Sequence, residues 1–317
     1  MSNRSNSFTR RDVLAVGALA GAGAALAPLA SFAQAAGQLE LITRAVPSSG
    51  ERIPVVGLGT NNYSVTAAED LAARREVLKH MPQLGGTLID TAPAYGRSEE
   101  VLGELIAELG NRDRFFLATK VTAPDGNLAV GKAMIEESFR RLRTDRIELI
   151  QVHNLQGLDT LMPYLQELKA AKRIKYLGAT TSNDNQHEAM AAALRKHRLD
   201  FVQLNYSIGD RQSADILLPL AQERGAAVLV NLPFGGRRGS VFARVSEQPL
   251  PSWAAECDAT SWAQFFLKYV VSHPAVTCAI PGTTKLSHLQ DNQRAARGRL
   301  PDAAMRKRME AFWDGLS

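Results

Sequence analysis

The chain is short of the residues that build metal centres and disulfide frameworks. It has 2 cysteines, Cys257 and Cys278, far apart and in no Cys-x-x-Cys pair. Of its 6 histidines, His80, His187, His197 and His273 stand alone without ligand spacing. No zinc site, redox pair or structural metal is written in this pattern. Charge of one sign is also scarce. The formal excess is +5 over 317 residues, too little for a nucleic-acid footprint. The basic residues near the C-terminus (Arg294, Arg297, Arg299, Arg306, Lys307, Arg308) are interspersed with alanine and leucine and lack interleaved aromatics, so they read as a solvated helix face and no nucleic-acid partner is expected. A third absence concerns glycine spacing. Gly57-Leu58-Gly59 runs on as Thr60-Asn61-Asn62, without the third glycine and prompt helix of the open-sheet dinucleotide fingerprint.

Long apolar runs are absent but for one, and it lies at the N-terminus. Arg10-Arg11 precedes an Ala- and Gly-rich stretch from Val13 to Ala30, followed by Ala33-Gln34-Ala35. Paired arginines, a weakly hydrophobic core and a small-x-small site constitute a twin-arginine export signal. The run approaches the length of a membrane span, but Pro28 and its small residues favour removal over anchoring. Residues 1–35 are therefore expected to be a cleaved signal read by the twin-arginine translocation machinery. Residues 36–317 would form a periplasmic protein with no stable membrane insertion.

What is present beyond Leu39 is a regular alternation of short apolar runs and amphipathic segments. Strands are expected at Val55–Gly59, Thr87–Asp90, Phe115–Lys120, Ile147–His153, Lys175–Ala179, Phe201–Asn205, Ala227–Asn231 and Val276–Ile280. Helical patterns fall at about 66–83, 97–109, 128–143, 158–171, 184–197, 213–224, 259–272 and 286–296. Eight strands alternating with eight helices predict an α/β protein of the (β/α)₈ TIM-barrel class, in a single domain.

In such a barrel the chemistry gathers at the strand C-termini. Asp90 ends the second strand, Lys120 the third and His153 the fourth, while Tyr95 follows Asp90 in Asp90-Thr-Ala-Pro-Ala-Tyr95-Gly96. Neighbouring strands lie about 4.8 Å apart, so these four side chains meet over the mouth. Together they suit proton delivery to a carbonyl oxygen. Tyr95 supplies the proton, the Lys120 ammonium lowers the phenol's pKa, Asp90 holds the ammonium, and His153 orients the substrate.

These residues carry a resemblance. Ile53-Pro-Val-Val-Gly-Leu-Gly59-Thr60, the Asp90–Gly96 segment, Ala118-Thr-Lys120, Gln151-Val-His153-Asn, Gln203-Leu-Asn-Tyr206 and Ile280-Pro-Gly-Thr283 resemble the aldo-keto reductases over nearly the whole chain beyond residue 35. The resemblance implies reduction of an aldehyde or ketone with NADP(H), in preference to NAD(H), and a catalytic tetrad of Tyr95, Lys120, Asp90 and His153. It further implies cofactor contacts from Gly59, Thr60 and Asn61 after the first strand and from Gln203 on the sixth. Thr180 and Thr181 stand where relatives have Ser-Asn, and Asn231 where many have a stacking aromatic. Gly282, Thr283, His288, Asp291 and Asn292 align with the segment that holds the adenosine end. A cofactor-bound sensor with little turnover is the alternative. Substrate choice is expected to lie in the loops, chiefly Asn61–Thr66, Thr122–Leu128, Gly235–Asp258 and the segment beyond Arg297.

Overall fold

The computed structural model describes residues 39–236 and 239–316. The expected export signal lies outside the described residues, as do Arg237 and Arg238. An antiparallel hairpin comes first, β1 (Thr43–Ala45) against β2 (Arg52–Pro54). Eight parallel strands follow: β3 (Leu58–Gly59), β4 (Leu88–Asp90), β5 (Phe116–Val121), β6 (Ile147–Val152), β7 (Ile174–Thr180), β8 (Phe201–Asn205), β9 (Ala227–Asn231) and β12 (Val276–Ala279). Bridges from Val56 to Ala279 and from Gly59 to Gly282 join the first strand to the last, so the sheet closes into a barrel. A two-stranded hairpin, β10 (Gly235–Gly236) and β11 (Gly239–Ser240), rises from the loop after β9.

The helices are α1 (Ala68–His80), α2 (Ser98–Leu109), α3 (Leu128–Arg141), α4 (Leu158–Ala170), α5 (His187–Lys196), α6 (Leu217–Arg224), α7 (Val241–Arg244), α8 (Trp262–Val271), α9 (Leu286–Arg294) and α10 (Ala303–Asp314). Local chemistry explains several boundaries. The Asn127 side chain accepts from the Ala129 and Val130 amides to start α3, and Ser261 and Asp302 do the same for α8 and α10. Gly110 and Gly225 end α2 and α6 in the left-handed region that glycine enters freely. At Gly103 a Cβ would come within 2.0 Å of the Arg141 carbonyl, so α2 reaches α3 only because that side chain is missing.

Two cores result. The larger packs the helices on the outer face of the barrel. The smaller fills the barrel itself with inward side chains such as Leu88, Phe116, Leu149, Tyr176, Phe201 and Leu229, and adds Val46 and Ile53 from the hairpin. The barrel strands are buried on both faces over most of their length, which is why they read as continuous apolar runs rather than alternating ones.

The barrel order matches the sequence expectation. The entry hairpin was not foreseen, because its strands are 3 residues each, too short for a periodic signal. The segment beyond Arg297 folds largely into α10 rather than a loop. The basic residues there are also not simply a solvated face. Arg306 donates to the Tyr206 hydroxyl at 2.6 Å and to the Ser272 hydroxyl at 2.7 Å, and it lies 4.4 Å from the Tyr269 ring centroid. Among the described residues no helix is long and apolar enough to cross a membrane.

Candidate active site

At the upper end of the barrel the inward positions change from apolar to polar. Two residues beyond Leu88, Ala118, Leu149 and Phe201 stand Asp90, Lys120, Gln151 and Gln203, all at most 2 % exposed. The strand period of two makes them the next layer. Lys120 Nζ donates to Asp90 Oδ2 at 2.6 Å and to the Thr91 carbonyl at 2.9 Å. Gln203 Nε2 reaches the same Asp90 oxygen at 3.4 Å, and Gln151 Nε2 holds Gln203 Oε1 at 2.8 Å. The ion pair therefore sits in a polar tier on top of an apolar column.

Tyr95 hangs over this tier from a short helical turn, Pro93–Tyr95, which the conformationally fixed Pro93 opens. Its ring centroid is 4.9 Å from Lys120 Nζ and 6.3 Å from the His153 ring, which stands edge-on at 89°. The loop that carries it is tied down beneath. The Ser98 hydroxyl donates to the Thr60 carbonyl at 2.9 Å and lies 2.9 Å from the Thr91 hydroxyl, while Thr60 Oγ1 donates to the Asp90 carbonyl at 2.8 Å. Ser98 thus joins the loops after β3 and β4, and Glu99 beside it accepts from Thr119 at 2.7 Å.

Burial sets the proton affinities. It pushes the Tyr95 phenol above its ordinary value, against the pull of Lys120. The sequence led us to expect a lowered phenol. Lys120 does act downward, but desolvation outweighs it. Burial by itself would lower Lys120, yet Asp90 beside it keeps the ammonium raised and charged. Burial and the Lys120 charge push His153 down to about 4. The imidazole is neutral at pH 7 and offers one N–H donor.

A cleft of about 390 Å³ opens above these groups. Asp90, Tyr95, Lys120 and His153 all line it, together with Gly59, Thr60, Asn61, Thr180, Gln203, Asn231 and Gly282. Thr181, Thr283, His288, Asp291 and Asn292 do not. Thr181 is turned inward and donates to Gln186 Oε1 at 2.7 Å. Asn292 donates to Thr283 Oγ1 at 3.0 Å, and both are buried. Asp291 accepts from Ser261 at 2.7 Å and from Gln264 at 2.6 Å, which binds α9 to α8. His288 is exposed on α9. At the end of β7, Thr180 and Ser182 face the cleft and Thr181 between them does not.

Sequence reasoning missed Asn154 and Phe234, which also line the cleft. Asn154 has φ 50°, a left-handed conformation that asparagine tolerates. Its Oδ1 accepts from the Ser182 amide at 3.1 Å and its own amide donates to Thr180 Oγ1 at 3.2 Å. The His153-Asn154 pair in the sequence was the available signal. Both cysteines are free and buried, and no cluster of metal-ligating side chains occurs among the described residues.

Known proteins resemble this chain in sequence and in fold. The chain is 32% identical over 201 residues to the aldo-keto reductase YhdN of Bacillus subtilis, an alignment that spans 58% of this chain and 60% of that protein. It is 27% identical over 260 residues to the methylglyoxal reductase YeaE of Escherichia coli, covering 80% of this chain and 89% of that one. The fold superposes on an aldo-keto reductase of Klebsiella pneumoniae solved in complex with NADPH, with TM-score 0.68 and 22% identity over 86% of this chain and 96% of the other. The model of the aldo/keto reductase family matches residues 55–313, from the strand that opens the barrel to the helix beyond its last strand, and the chain therefore belongs to that family.

Proposed function

We propose that the protein reduces an aldehyde or ketone to its alcohol with NADP(H), Tyr95 acting as general acid. The observation that carries this reading is the Lys120–Asp90 ion pair at 2.6 Å beneath the Tyr95 ring. A phenol next to a buried ammonium can give up its proton to a carbonyl oxygen, because the phenolate left behind is held by the positive charge. Neutral His153 donates a hydrogen bond to the same oxygen and fixes the plane of the carbonyl. Asp90 keeps Lys120 charged and in place. The methylglyoxal reductase among the relatives supports a carbonyl substrate.

The lining of the cleft fits a nicotinamide cofactor. Asn231 Oδ1 is buried without a hydrogen-bond partner, and an amide N–H is its natural complement. The Gly59–Gly282 approach leaves flat backbone where a Cβ on Gly59 would come within 2.8 Å of the Ile280 carbonyl. Thr180, Gln203 and Asn231 would hold the carboxamide, with Gly59, Thr60, Asn61 and Gly282 around the ribose. Exposed His288 and the N-terminus of α9 would meet the phosphate end. Thr283, Asp291 and Asn292 shape that segment through their bonds within the protein, and Thr181 does the same for the loop after β7. When bound, the cofactor supplies the hydride. A relative solved with NADPH supports the phosphorylated form. Multiple-turnover oxidation of NADPH by a panel of aldehydes tests the reading; a single oxidation followed by a stall would overturn it in favour of a sensor.

The export signal at residues 1–35 and a periplasmic mature chain belong to the same proposal. They rest on Arg10-Arg11, the apolar run and Ala33-Gln34-Ala35. Arg10→Lys with Arg11→Lys is expected to leave the precursor in the cytoplasm, read by fractionation; unchanged export would refute the signal.

A further inference from the structure

Gln151 belongs to the polar tier yet does not line the catalytic cleft. It stands on β6, fully buried and opposite Lys120 of β5 in register. Its Nε2 donates to Gln203 Oε1 at 2.8 Å, while its own Oε1 is buried without a partner. The strand between them, β7, places Gly178 opposite Gln151, two residues beyond the inward Tyr176, so no side chain separates the two amides. An apolar residue of the same volume would fill this place without stranding a buried acceptor. The glutamine is therefore explained by the bond it gives rather than by packing.

That bond decides which way Gln203 faces. The two ends of a side-chain amide are nearly equal in shape and opposite in polarity. An ionised Asp90 only accepts, so it selects Gln203 Nε2 as the end that approaches it, at 3.4 Å. A contact of that length is weak and fixes little by itself. Gln151 offers an N–H from the other side, where only the oxygen of Gln203 fits. Held at both ends, Gln203 keeps its second N–H and the second lone pair of Oε1 for the cleft, which it lines. One donor and one acceptor side by side are the complement of a carboxamide.

We infer that Gln151 is a positioning residue for the nicotinamide end of the cofactor, acting through Gln203 and touching no ligand itself. The inference rests on the reading of Gln203 as a carboxamide ligand given above, and adds the group that orients it. The carboxamide makes and breaks no bond in the reaction. Its contact with Gln203 is therefore the same in the bound state and the transition state, and loosening it weakens binding without slowing the chemical step.

The test is calorimetric titration of the full chain with NADPH and with adenosine 2′,5′-bisphosphate, which lacks the nicotinamide. Gln151→Met keeps the volume and removes the N–H. One neutral hydrogen bond predicts an NADPH Kd raised roughly 3- to 10-fold, with Kd for the bisphosphate and kcat at saturating NADPH each within about two-fold of wild type. Gln151→Met combined with Gln203→Met should bind NADPH no more weakly than Gln203→Met alone, because the two amides act as one unit. Additive losses in that cycle overturn the inference, as does an unchanged NADPH affinity in Gln151→Met. Equal losses for both ligands, or a lower kcat with NADPH affinity intact, would assign Gln151 to the fold or to the ion pair and overturn it too. If the methionine variant does not fold, Gln151→Asn, which keeps an amide but falls one methylene short of Gln203, should give the same pattern. If Gln203→Met itself leaves NADPH affinity unchanged, the carboxamide reading of Gln203 is what fails, and the inference falls with it.

Discussion

The lower and upper halves of the barrel interior are built from the same strands, in the same register, with opposite chemistry. Phe116, Tyr176 and Phe201 pack ring to ring below, at centroid distances of 5.2 to 5.8 Å. Lys120 and Gln203, further along two of those strands, form the polar tier above with Asp90 and Gln151. Below, side chains are exchangeable in kind as long as volume is kept, because dispersion and burial have no direction. Above, each group has an assigned partner, and a change of type leaves another group stranded. Stability and chemistry are thus separated along one axis by a step of two residues.

The strongest way to break that separation is Lys120→Met, since this residue belongs to the proposed chemistry yet closes a buried ion pair. We expect kcat to fall by about 10²–10⁴ and stability by about 3–5 kcal/mol, because Asp90 is left buried and unpaired. Any residual rate should have its alkaline limb moved to higher pH, since Lys120 pulls the phenol's pKa down. Urea unfolding alongside the pH–rate profile measures both; a well-folded variant with an unchanged profile would remove Lys120 from the mechanism.

Tyr95→Phe sharpens the comparison. The rate should drop by about 10²–10⁴ with the melting temperature and cofactor binding nearly unchanged, because only one hydroxyl is lost and the ring that packs is kept. Retention of half the wild-type turnover would reject Tyr95 as proton donor. Phe201→Ala is the complement from below. It should cost about 3–5 kcal/mol, read as a shifted denaturation midpoint, while kcat of the folded fraction stays close to wild type. A large kcat loss without destabilisation would show that the two halves are not independent.

The smallest effect concerns pH. His153 is held near 4 in the folded protein against about 6.5 unfolded. The unfolded chain therefore takes up a proton first as pH falls, so stability present above about 6.5 is lost progressively toward 4. His273, also near 4, contributes in the same direction. Melting curves between pH 7 and 4 should slope less for His153→Gln than for wild type; parallel curves would contradict the shifted imidazole.

The convergence of Asp90, Tyr95, Lys120 and His153 on one cleft was legible because it is a matter of residue type at strand ends, and strand ends are marked by apolar runs such as Phe116–Leu117-Ala118 before Lys120. Barrel order followed from alternation alone. The hairpin at the foot of the barrel was illegible, since Val46 and Ile53 gain their meaning only from the Phe116 and Phe201 layer far along the chain. Asp291 and Asn292 show the same limit. Their types suggest ligand contacts, but Ser261, Gln264 and Thr283 already use them, and no local pattern announces those partners. Tyr95 shows a limit of degree. The attraction of Lys120 was readable from charge, whereas the larger opposing effect of burial needs the completed mouth.

Closure of the sheet has a consequence in time. The Gly57 amide donates to the Ala279 carbonyl at 2.8 Å, the Ala279 amide to Val55 at 2.9 Å, and the Gly59 amide to Pro281 at 3.0 Å. A ribosome delivers the first of these partners about 220 residues before the second. Until then the opening strand keeps one edge unpaired, the kind of edge that recruits other chains. Contacts of such long sequence separation also slow the search for the native state. An unpaired edge on the opening strand is therefore covered only when Val276–Pro281 arrives.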